Sequence, residues 1–259
     1  VKVYDDGSIE VIDDGRGMPV DIHPEHGVPG VELIMCRLHA GGKFDSDSYK
    51  VSSGLHGVGL SVVNALSTWM TIEVQTGGKV WRQEYLTGKP QGPVKAVGKT
   101  EVRGTTVNFM PDVTIFRDGL DYNFRALVQR FREMAYLTKA LRFHIADQRD
   151  GNEVNFYFEG GIRSYVRHLN KEKNVLHKTP FYVERESNGV AVEVALQYTE
   201  AYDTDSIYTF ANNINNTDGG AHLTGFRNAL TRVVNNYARS KNLLKESEAN
   251  LTGDDVREG

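Results

Sequence analysis

Three glycines stand directly before a stretch of helical character in the segment SSGLHGVGLSVVNALS, residues 52 to 67. Gly54, Gly57 and Gly59 permit positive φ and close approach, so successive backbone N–H groups can turn inward around an anion. A helix that begins near Val58 would add its unpaired N–H groups and the positive end of its dipole. The segment therefore predicts a cradle for a triphosphate, although the same residues also allow a flexible loop that enters an ordinary helix.

Two other phosphate-binding patterns do not fit the chain. The spacing G-x-x-G-x-G is the reverse of the dinucleotide fingerprint, which also requires a strand directly before it. The preceding residues, KFDSDSYKVSS, lack the pattern of such a strand. The segment GPVKAVGKT, residues 92 to 100, is close to a Walker loop but has Pro93 where that loop requires glycine.

A second motif, VIDDGRGMP at residues 11 to 19, ends an apolar strand with two aspartates and two glycines. At the end of a strand, the carboxylate of Asp13 can point into a pocket and accept a hydrogen bond from an exocyclic amine such as adenine N6. Guanine presents a carbonyl at that position and would leave two acceptors unpaired. A lone Asp-Gly pair is usually only a turn, but this motif precedes the glycine segment by about 40 residues, which favours a purine nucleotide site.

Composition restricts the class of protein. The chain has 259 residues, of which 39% are apolar, enough to bury one large or two ordinary cores. No apolar run is long enough to span a bilayer, and the first residues lack the features of a secretion signal, which predicts a cytoplasmic protein without a membrane partner. The single cysteine, Cys36, excludes an internal disulfide. The net charge of −4 means that any contact with nucleic acid must be local.

The pattern of hydrophobic residues predicts an α+β protein with two domains, 1–160 and 161–259, joined at Gly160-Gly161. The chain begins inside a hairpin, and its last segment, TGDDVREG, has no element or cap of its own, so we expect a fragment. The predicted helices are 31–38, 58–66, 122–137, 162–169 and 222–238. Beyond the first hairpin, the predicted strands are 70–76, 80–86, 105–110, a hairpin around 149–152, 189–198 and 206–212.

The motifs DDGRGMP, LHAGGKF and GLHGVGLSVVNALS resemble, in order and spacing, those of the ATPase family shared by type II DNA topoisomerases, Hsp90 chaperones, MutL repair proteins and histidine kinases. LHAGGKF together with YKVSSGLHGVG is similar to the B subunits of bacterial DNA gyrase and topoisomerase IV. The later segments EGGIRSYV, DGGAHLTGFRNALTR and TGDDVREG resemble their transducer domain. The resemblance implies a two-layer α/β sandwich of the gyrase, Hsp90, histidine kinase and MutL type, followed by a transducer domain that is similar to ribosomal protein S5.

The resemblance assigns the residues at the two ends of a bound ATP. At the base, Asp13 would read adenine, and Gly17 and Thr105 would share a water-mediated contact. The rim and wall of the base pocket would be Arg16, Pro19 and Met18. The lid and phosphate residues would be Lys43, Tyr49, Gly54, Leu55, His56, Gly57, Val58 and Gly59.

The sequence departs from the family pattern in three ways. Ser53 stands where relatives usually have glycine, and Thr76 stands where gyrase relatives often have an arginine. The helix that carries the general-base glutamate and the Mg²⁺-binding asparagine would precede Val1, and the lysine loop that senses the γ-phosphate would follow Gly259. No catalytic or metal residue is therefore expected within the chain, and we expect the chain alone to hydrolyse almost no ATP.

The resemblance also implies an activity and partners. ATP and Mg²⁺ would be the cofactors of a DNA topoisomerase, a topology-changing isomerase in which ATP closes a dimer of B subunits and drives passage of DNA. The partners would be DNA, the A subunit of gyrase or topoisomerase IV, and a second copy of the B subunit. Arg227 and Arg232 are candidate DNA contacts. The alternatives are a non-catalytic, nucleotide-responsive interaction module and an Hsp90-like clamp, and the clamp predicts a different second domain.

Overall fold

Two compact units make up the part of the chain that the structure describes. The first unit comprises Val1–Arg132 and Arg142–Phe156, and the second comprises Glu133–Leu141 and Tyr157–Gly259. The predicted junction at Gly160-Gly161 follows closely after the passage from the first unit to the second, and the predicted domain limits remain predictions. The computed structural model describes residues 1–39, 57–201 and 206–259.

The first unit combines one sheet with three helices, counted over its described residues. The strands are β1 Lys2–Val3, β2 Ile9–Asp13, β3 Ser67–Thr76, β4 Lys79–Leu86, β5 Lys89–Pro90, β6 Lys95–Lys99, β7 Gly104–Pro111, β8 Phe143–Asp147 and β9 Asn152–Phe156. The helices are α1 Gly30–Cys36, α2 Gly59–Ala65 and α3 Phe124–Leu137. The last turn of α3 belongs to the second unit.

The order of strands in the sheet brings the ends of three strands together. The order is β5-β4-β3-β7-β2-β1-β8-β9, and β6 pairs with β4. All pairs are antiparallel except the parallel pair of β1 and β8. Because β7 lies between β2 and β3, the last residue of β2 is beside the first residues of β7 and near the last residues of β3.

The core of the first unit lies on one face of this sheet. Met70, Ile72 and Val74 alternate along β3 and are almost completely buried, as expected of a strand with one covered face. Val31 and Met35, one turn apart on α1, pack against them. Leu60 and Val63 of α2 contact the same cluster. These helices are therefore held in place by apolar burial rather than by their own length.

The second unit contains three further helices and two short antiparallel ribbons among its described residues. They are α4 Gly161–Leu169, β10 Phe181–Ser187, β11 Val190–Leu196, β12 Phe210–Ala211, β13 Ile214–Asn215, α5 Ala221–Ser240 and α6 Gly253–Arg257. Aromatic stacking contributes to the packing, because the Tyr136 ring lies 3.8 Å from that of Phe158 and 5.0 Å from that of Tyr165, between ring centroids.

The mixed α/β class that the sequence predicts is confirmed, and so are the five predicted helices to within a few residues at each end. The predicted strands of the first unit are also present as β3, β4, β7 and the β8-β9 hairpin. Within the described ranges, no helix has the length and apolar composition that a membrane crossing requires.

Two predictions about the second unit are wrong. The strand predicted for 206–212 is reduced to Phe210–Ala211, because only these two residues pair with β13. The segment TGDDVREG does form an element, since Thr252 and Asp255 make a capping box at the start of α6. The sequence analysis also missed β5, β6, β10 and β13. Strand β6 lies within the Walker-like segment GPVKAVGKT and pairs with β4, so this segment is not a phosphate loop.

Candidate functional site

Asp13, Thr105 and Val74 lie in one row across the ends of β2, β7 and β3. Asp13 is the last residue of β2, as the sequence predicts, and its side chain is exposed. Its Oδ1 accepts a hydrogen bond from the backbone N–H of Gly15 at 2.9 Å. Thr105 is buried beside it. The row therefore places a carboxylate with remaining acceptor capacity next to a buried hydroxyl.

Two glycines allow the turn after Asp13 to fold back over the sheet. A Cβ on Gly104 would lie 2.2 Å from the backbone oxygen of Asp13. Gly17 has φ +79°, and a Cβ there would lie 3.1 Å from Cγ1 of Val74 and 3.2 Å from the oxygen of Gln75. Since any side chain would collide with the backbone at Gly104, the shape of this corner depends on glycine.

The next residues connect this turn to the core and to α1. Met18 packs against the core cluster of the first unit. Pro19 lies against the start of α1, because a Cβ on Gly30 would be 2.7 Å from its Cγ. Arg16 is exposed. The structure thus brings the six residues predicted for the base pocket to one corner of the first unit. Five of them lie in residues 13–19, at the end of β2 and in the turn that follows, and the sixth is Thr105 of β7.

The start of α2 belongs to the part of the predicted site that would hold the phosphates. Gly57 has φ +59°, the backbone conformation that the sequence analysis expects of this glycine segment. No side chain among the described residues caps the first turn of α2 at Val58. The amide of Asn64 fixes the helix by donating to the backbone oxygen of Met35 at 3.0 Å. Among the described residues, no atom lies within 4 Å of a Cβ built on Gly59.

Several predicted residues lie outside the described ranges. Of the residues discussed for the lid and the glycine loop, these are Lys43, Tyr49, Ser53, Gly54, Leu55 and His56. Their assigned roles, like those of the described residues, remain predictions. Thr76, where relatives often have arginine, is the last residue of β3 and pairs with Lys79.

The two candidate DNA contacts are both on α5 but differ in exposure. Arg232 is exposed, whereas Arg227 is half-buried and its Nε has no hydrogen-bond partner among the described residues. They are five positions apart, which corresponds to roughly 140° around a helix axis. The two guanidinium groups therefore belong to different faces of α5.

Comparison with known families supports the motif analysis. Residues 1–115 match the family described as histidine kinase-, DNA gyrase B-, and HSP90-like ATPase, and residues 161–259 match the family described as DNA gyrase B. The chain belongs to the DNA gyrase B family. The match over residues 161–259 argues against an Hsp90-like clamp, for which we expected a different second domain.

Individual relatives give the same result. The DNA gyrase B subunit of Halalkalibacterium halodurans is 51% identical over 260 residues, which include 100% of this chain and 41% of that protein. The DNA gyrase B subunit of Streptococcus pyogenes is 50% identical over 263 residues, with 100% and 40% covered. The chain thus spans about two fifths of the length of these curated relatives.

Solved structures agree with the family assignment. The 43K ATPase domain of Thermus thermophilus gyrase B, solved with an aminocoumarin, is 37% identical with a TM-score of 0.83, covering 100% of this chain and 66% of that one. The topoisomerase IV ATP-binding domain of Francisella tularensis, solved with a small-molecule inhibitor, is 32% identical with a TM-score of 0.78, covering 98% and 66%. The gyrase B fold is therefore shown for this chain.

Sequence reasoning missed Gly104 and Gly30 as residues that shape the site. Gly104 precedes Thr105 in the segment RGTT, and Gly30 opens α1 in the segment VPGVE. Neither segment has a recognisable motif, and both glycines are required by contacts with residues far away or in another element. Only the register of β2 against β7 could have identified Gly104.

Proposed function

We propose that this chain is the ATP-binding and ATPase region of the B subunit of a DNA gyrase or topoisomerase IV. In the whole protein, ATP binding and hydrolysis would close a dimer of B subunits and drive the passage of one DNA segment through another. The observation that carries the proposal is the row of Asp13 and Thr105 at the ends of β2 and β7, beneath a turn that requires glycine.

The chemistry of this row fits the adenine end of ATP. An ionised aspartate only accepts hydrogen bonds, and the described contacts use one oxygen of Asp13 for Gly15. The other oxygen remains available to the exocyclic amine of adenine. Gly17 and Gly104 allow the turn after Asp13 to pack closely against the ends of β3 and β7, which fixes the position of the Asp13 carboxylate. Guanine would present a carbonyl to the carboxylate and bind poorly.

The phosphate end of the proposal rests on the glycine segment and α2. Gly57 has the positive φ that turns backbone N–H groups toward an anion, and no side chain in the described ranges caps the N–H groups of the first turn of α2. We assign Leu55, His56 and Val58 to the same group of backbone donors. Mg²⁺ would neutralise phosphate charge in the complete site.

The remaining parts of the proposal concern the whole protein. Its partners would be DNA, the A subunit and a second copy of the B subunit, and its location would be the cytoplasm. Arg232, which is exposed on α5, is better placed than the half-buried Arg227 for contact with a phosphate backbone.

Binding of nucleotide to Asp13→Asn tests the proposal directly. The amide side chain keeps the shape but presents a weaker acceptor or a donor, so ATP affinity should fall by about 10- to 100-fold, the value of a hydrogen bond to a charged group. Asp14→Asn is the matched control, because Asp14 is the neighbouring exposed carboxylate. Calorimetric titration of both variants with ATP and GTP measures the effect.

The proposal predicts a clear pattern among these titrations. The protein and Asp14→Asn should bind ATP with similar affinity and should prefer ATP to GTP. Equal affinity of the Asp13 and Asp14 variants, or equal affinity of the unaltered protein for ATP and GTP, would show that Asp13 does not read the base.

A further inference from the structure

The loop between Val20 and α1 is held by its own backbone. Ile22 and Pro29 form an isolated bridge, and the N–H of His23 donates to the oxygen of Val28 at 2.8 Å. Gly27, with φ +67°, closes the turn by donating to the oxygen of His23 at 2.9 Å. The side chains of this loop are therefore presented on a fixed frame, although the sequence analysis gives them no role.

Three potential metal ligands meet on this frame. Ligand atoms of His23, Glu25 and His26 all lie within 4.8 Å of one another. The rings of His23 and His26 are stacked, with centroids 4.8 Å apart and planes inclined by 30°. His23 is half-buried, and the other two side chains are exposed. Two imidazoles on one side of a tight turn are thus already close to the separation that a shared ion requires.

We propose that His23, Glu25 and His26 form a surface site for one divalent transition-metal ion of the zinc class. Two imidazole nitrogens and one carboxylate oxygen are a common ligand set for Zn²⁺, and imidazole also suits Ni²⁺ and Cu²⁺. Three protein ligands leave the remaining coordination positions to water. Ligand atoms up to 4.8 Å apart must approach to about 3.3 Å, the separation of two ligands at ordinary Zn–N and Zn–O bond lengths in a tetrahedral site, which side-chain rotation can supply.

The interactions that compete with the ion are weak. Nδ1 of His23 accepts the N–H of Glu25 at 3.3 Å, and Nδ1 of His26 lies 3.3 Å from the guanidinium of Arg37. Both distances exceed the usual length of a strong N–H hydrogen bond. Arg37 also opposes a cation by its charge, so it limits the affinity of the site. Removing Arg37 should therefore improve binding, which a merely structural histidine pair would not show.

Calorimetric titration of the 259-residue chain with Zn²⁺ alone, without nucleotide, tests the site. We expect one ion per chain, and a loss of affinity of about tenfold or more in His23→Ala and in His26→Ala, since each removes a direct ligand. Arg37→Ala should raise the affinity severalfold. His222→Ala is the matched control, because His222 is an exposed histidine outside the loop and should leave binding unchanged. Titration of the unaltered protein with Cu²⁺, followed by electron paramagnetic resonance, should show coordinated nitrogen. This signal should disappear in the double variant that combines His23→Ala with His26→Ala.

The outcome separates this site from the nucleotide site. Unchanged Zn²⁺ affinity in both histidine variants, with circular dichroism confirming their fold, would overturn the proposal. An effect of His222→Ala as large as that of His26→Ala would also overturn it. Asp13→Asn should leave Zn²⁺ binding intact, so failure of the metal site and failure of the proposed ATP site are distinguishable.

Discussion

Strand β3 of the first unit and the β10-β11 ribbon of the second unit are stabilised in different ways. Ile72 and Val74 of β3 are each 1% exposed, and α1 and α2 cover them. In the ribbon, by contrast, Phe181 is 53%, Val190 62% and Val192 53% exposed. Strand β3 pairs regularly with β4, and β10 pairs regularly with β11. Regular pairing is therefore common to the two, but only β3 also gains from extensive apolar burial.

A polar cluster takes the place of an apolar core beside the ribbon. The Lys139 ammonium donates to Oε2 of Glu184 at 3.0 Å and lies 2.7 Å from Oε1 of Glu193. The hydroxyl of Tyr182 lies between the same two carboxylates, at 2.7 Å and 2.8 Å. The guanidinium of Arg163 lies 4.4 Å above the Tyr182 ring. Exposed clusters of this kind contribute less than buried apolar side chains, and their contribution depends on ionisation.

The largest expected difference between the two regions is the loss of stability when a β-branched side chain is truncated to alanine. Ile72→Ala should lower the free energy of unfolding of the first unit by about 2–5 kcal/mol, because it leaves a cavity in a closed core. Val192→Ala should change stability by at most about 0.5 kcal/mol, because its side chain already faces solvent.

Trp69 and Trp81 both belong to the first unit, so tryptophan fluorescence during urea unfolding reports the Ile72 variant. Hydrogen exchange of the β11 peptide reports the Val192 variant. A similar loss of stability in both variants would show that a partner or a covering element buries the ribbon.

The same contrast explains which strands the sequence predicts. Strand β3 alternates apolar and polar residues because one face is covered, and this period is visible in the sequence. Strand β10, FYVERES, and strand β6, KAVGK, have mostly exposed side chains and no comparable period. These two strands form because of the strands they pair with, and cross-strand pairing cannot be predicted from a single sequence. The predicted strand at 206–212 failed for the opposite reason, since its apolar residues pair over only two positions.

The site was predictable to a similar extent. Motif spacing predicts Asp13 at the end of a strand, and the glycine segment is expected to permit positive φ, as Gly57 does. The spacing could not predict that Gly104 must lack a side chain, because that requirement comes from the oxygen of Asp13 about 90 positions earlier in the chain, brought close by β-sheet register. Local motifs identify residues with their own conformational demands, whereas close approach between distant segments becomes visible only in the fold.

Alkaline pH should weaken the ribbon through Tyr182. Burial, aided by hydrogen bonds to Glu184 and Glu193 and opposed by Lys139, raises the pKa of Tyr182 to about 12. Since the unfolded chain ionises near its ordinary value of 10.0, the stabilisation is complete below pH 10 and is lost as pH rises through the folded value. We expect a loss of about 1 kcal/mol across this window after solvent screening.

Urea unfolding followed by circular dichroism at pH 9 and pH 11 measures the first part of this loss, because pH 11 lies midway through the window. Tyr182→Phe should reduce the difference between the two pH values, whereas Tyr208→Phe, at an exposed tyrosine, should leave it unchanged. If Tyr182→Phe shows the full pH dependence, the polar cluster does not control the alkaline stability of the ribbon.

The smallest expected effect concerns the starts of α1 and α6, which are stabilised in different ways. Helix α1 begins at Gly30, where no described side chain caps it, and is held by burial of Val31 and Met35, whereas α6 begins with a capping box. In α6, Oγ1 of Thr252 accepts the N–H of Asp255 at 3.2 Å, and Asp255 accepts the N–H of Thr252 at 2.7 Å. Only Val256 of this short helix is buried, so the cap should account for a large part of its local stability.

Thr252→Ala should therefore lower the local stability of α6 by about 0.5–1 kcal/mol, seen as faster hydrogen exchange in residues 253–257. Thr252→Ser should restore the protection, because serine keeps the hydroxyl acceptor. Thr224→Ala is the matched control at an exposed threonine within α5, where alanine is the better helix former. Normal protection of α6 in Thr252→Ala would mean that burial of Val256, together with the hydrogen bond from Tyr198 to its backbone oxygen, is sufficient to hold the helix. In that case α6 would follow the same rule as α1, and the contrast between an apolar first unit and a polar second unit would be confined to the ribbon.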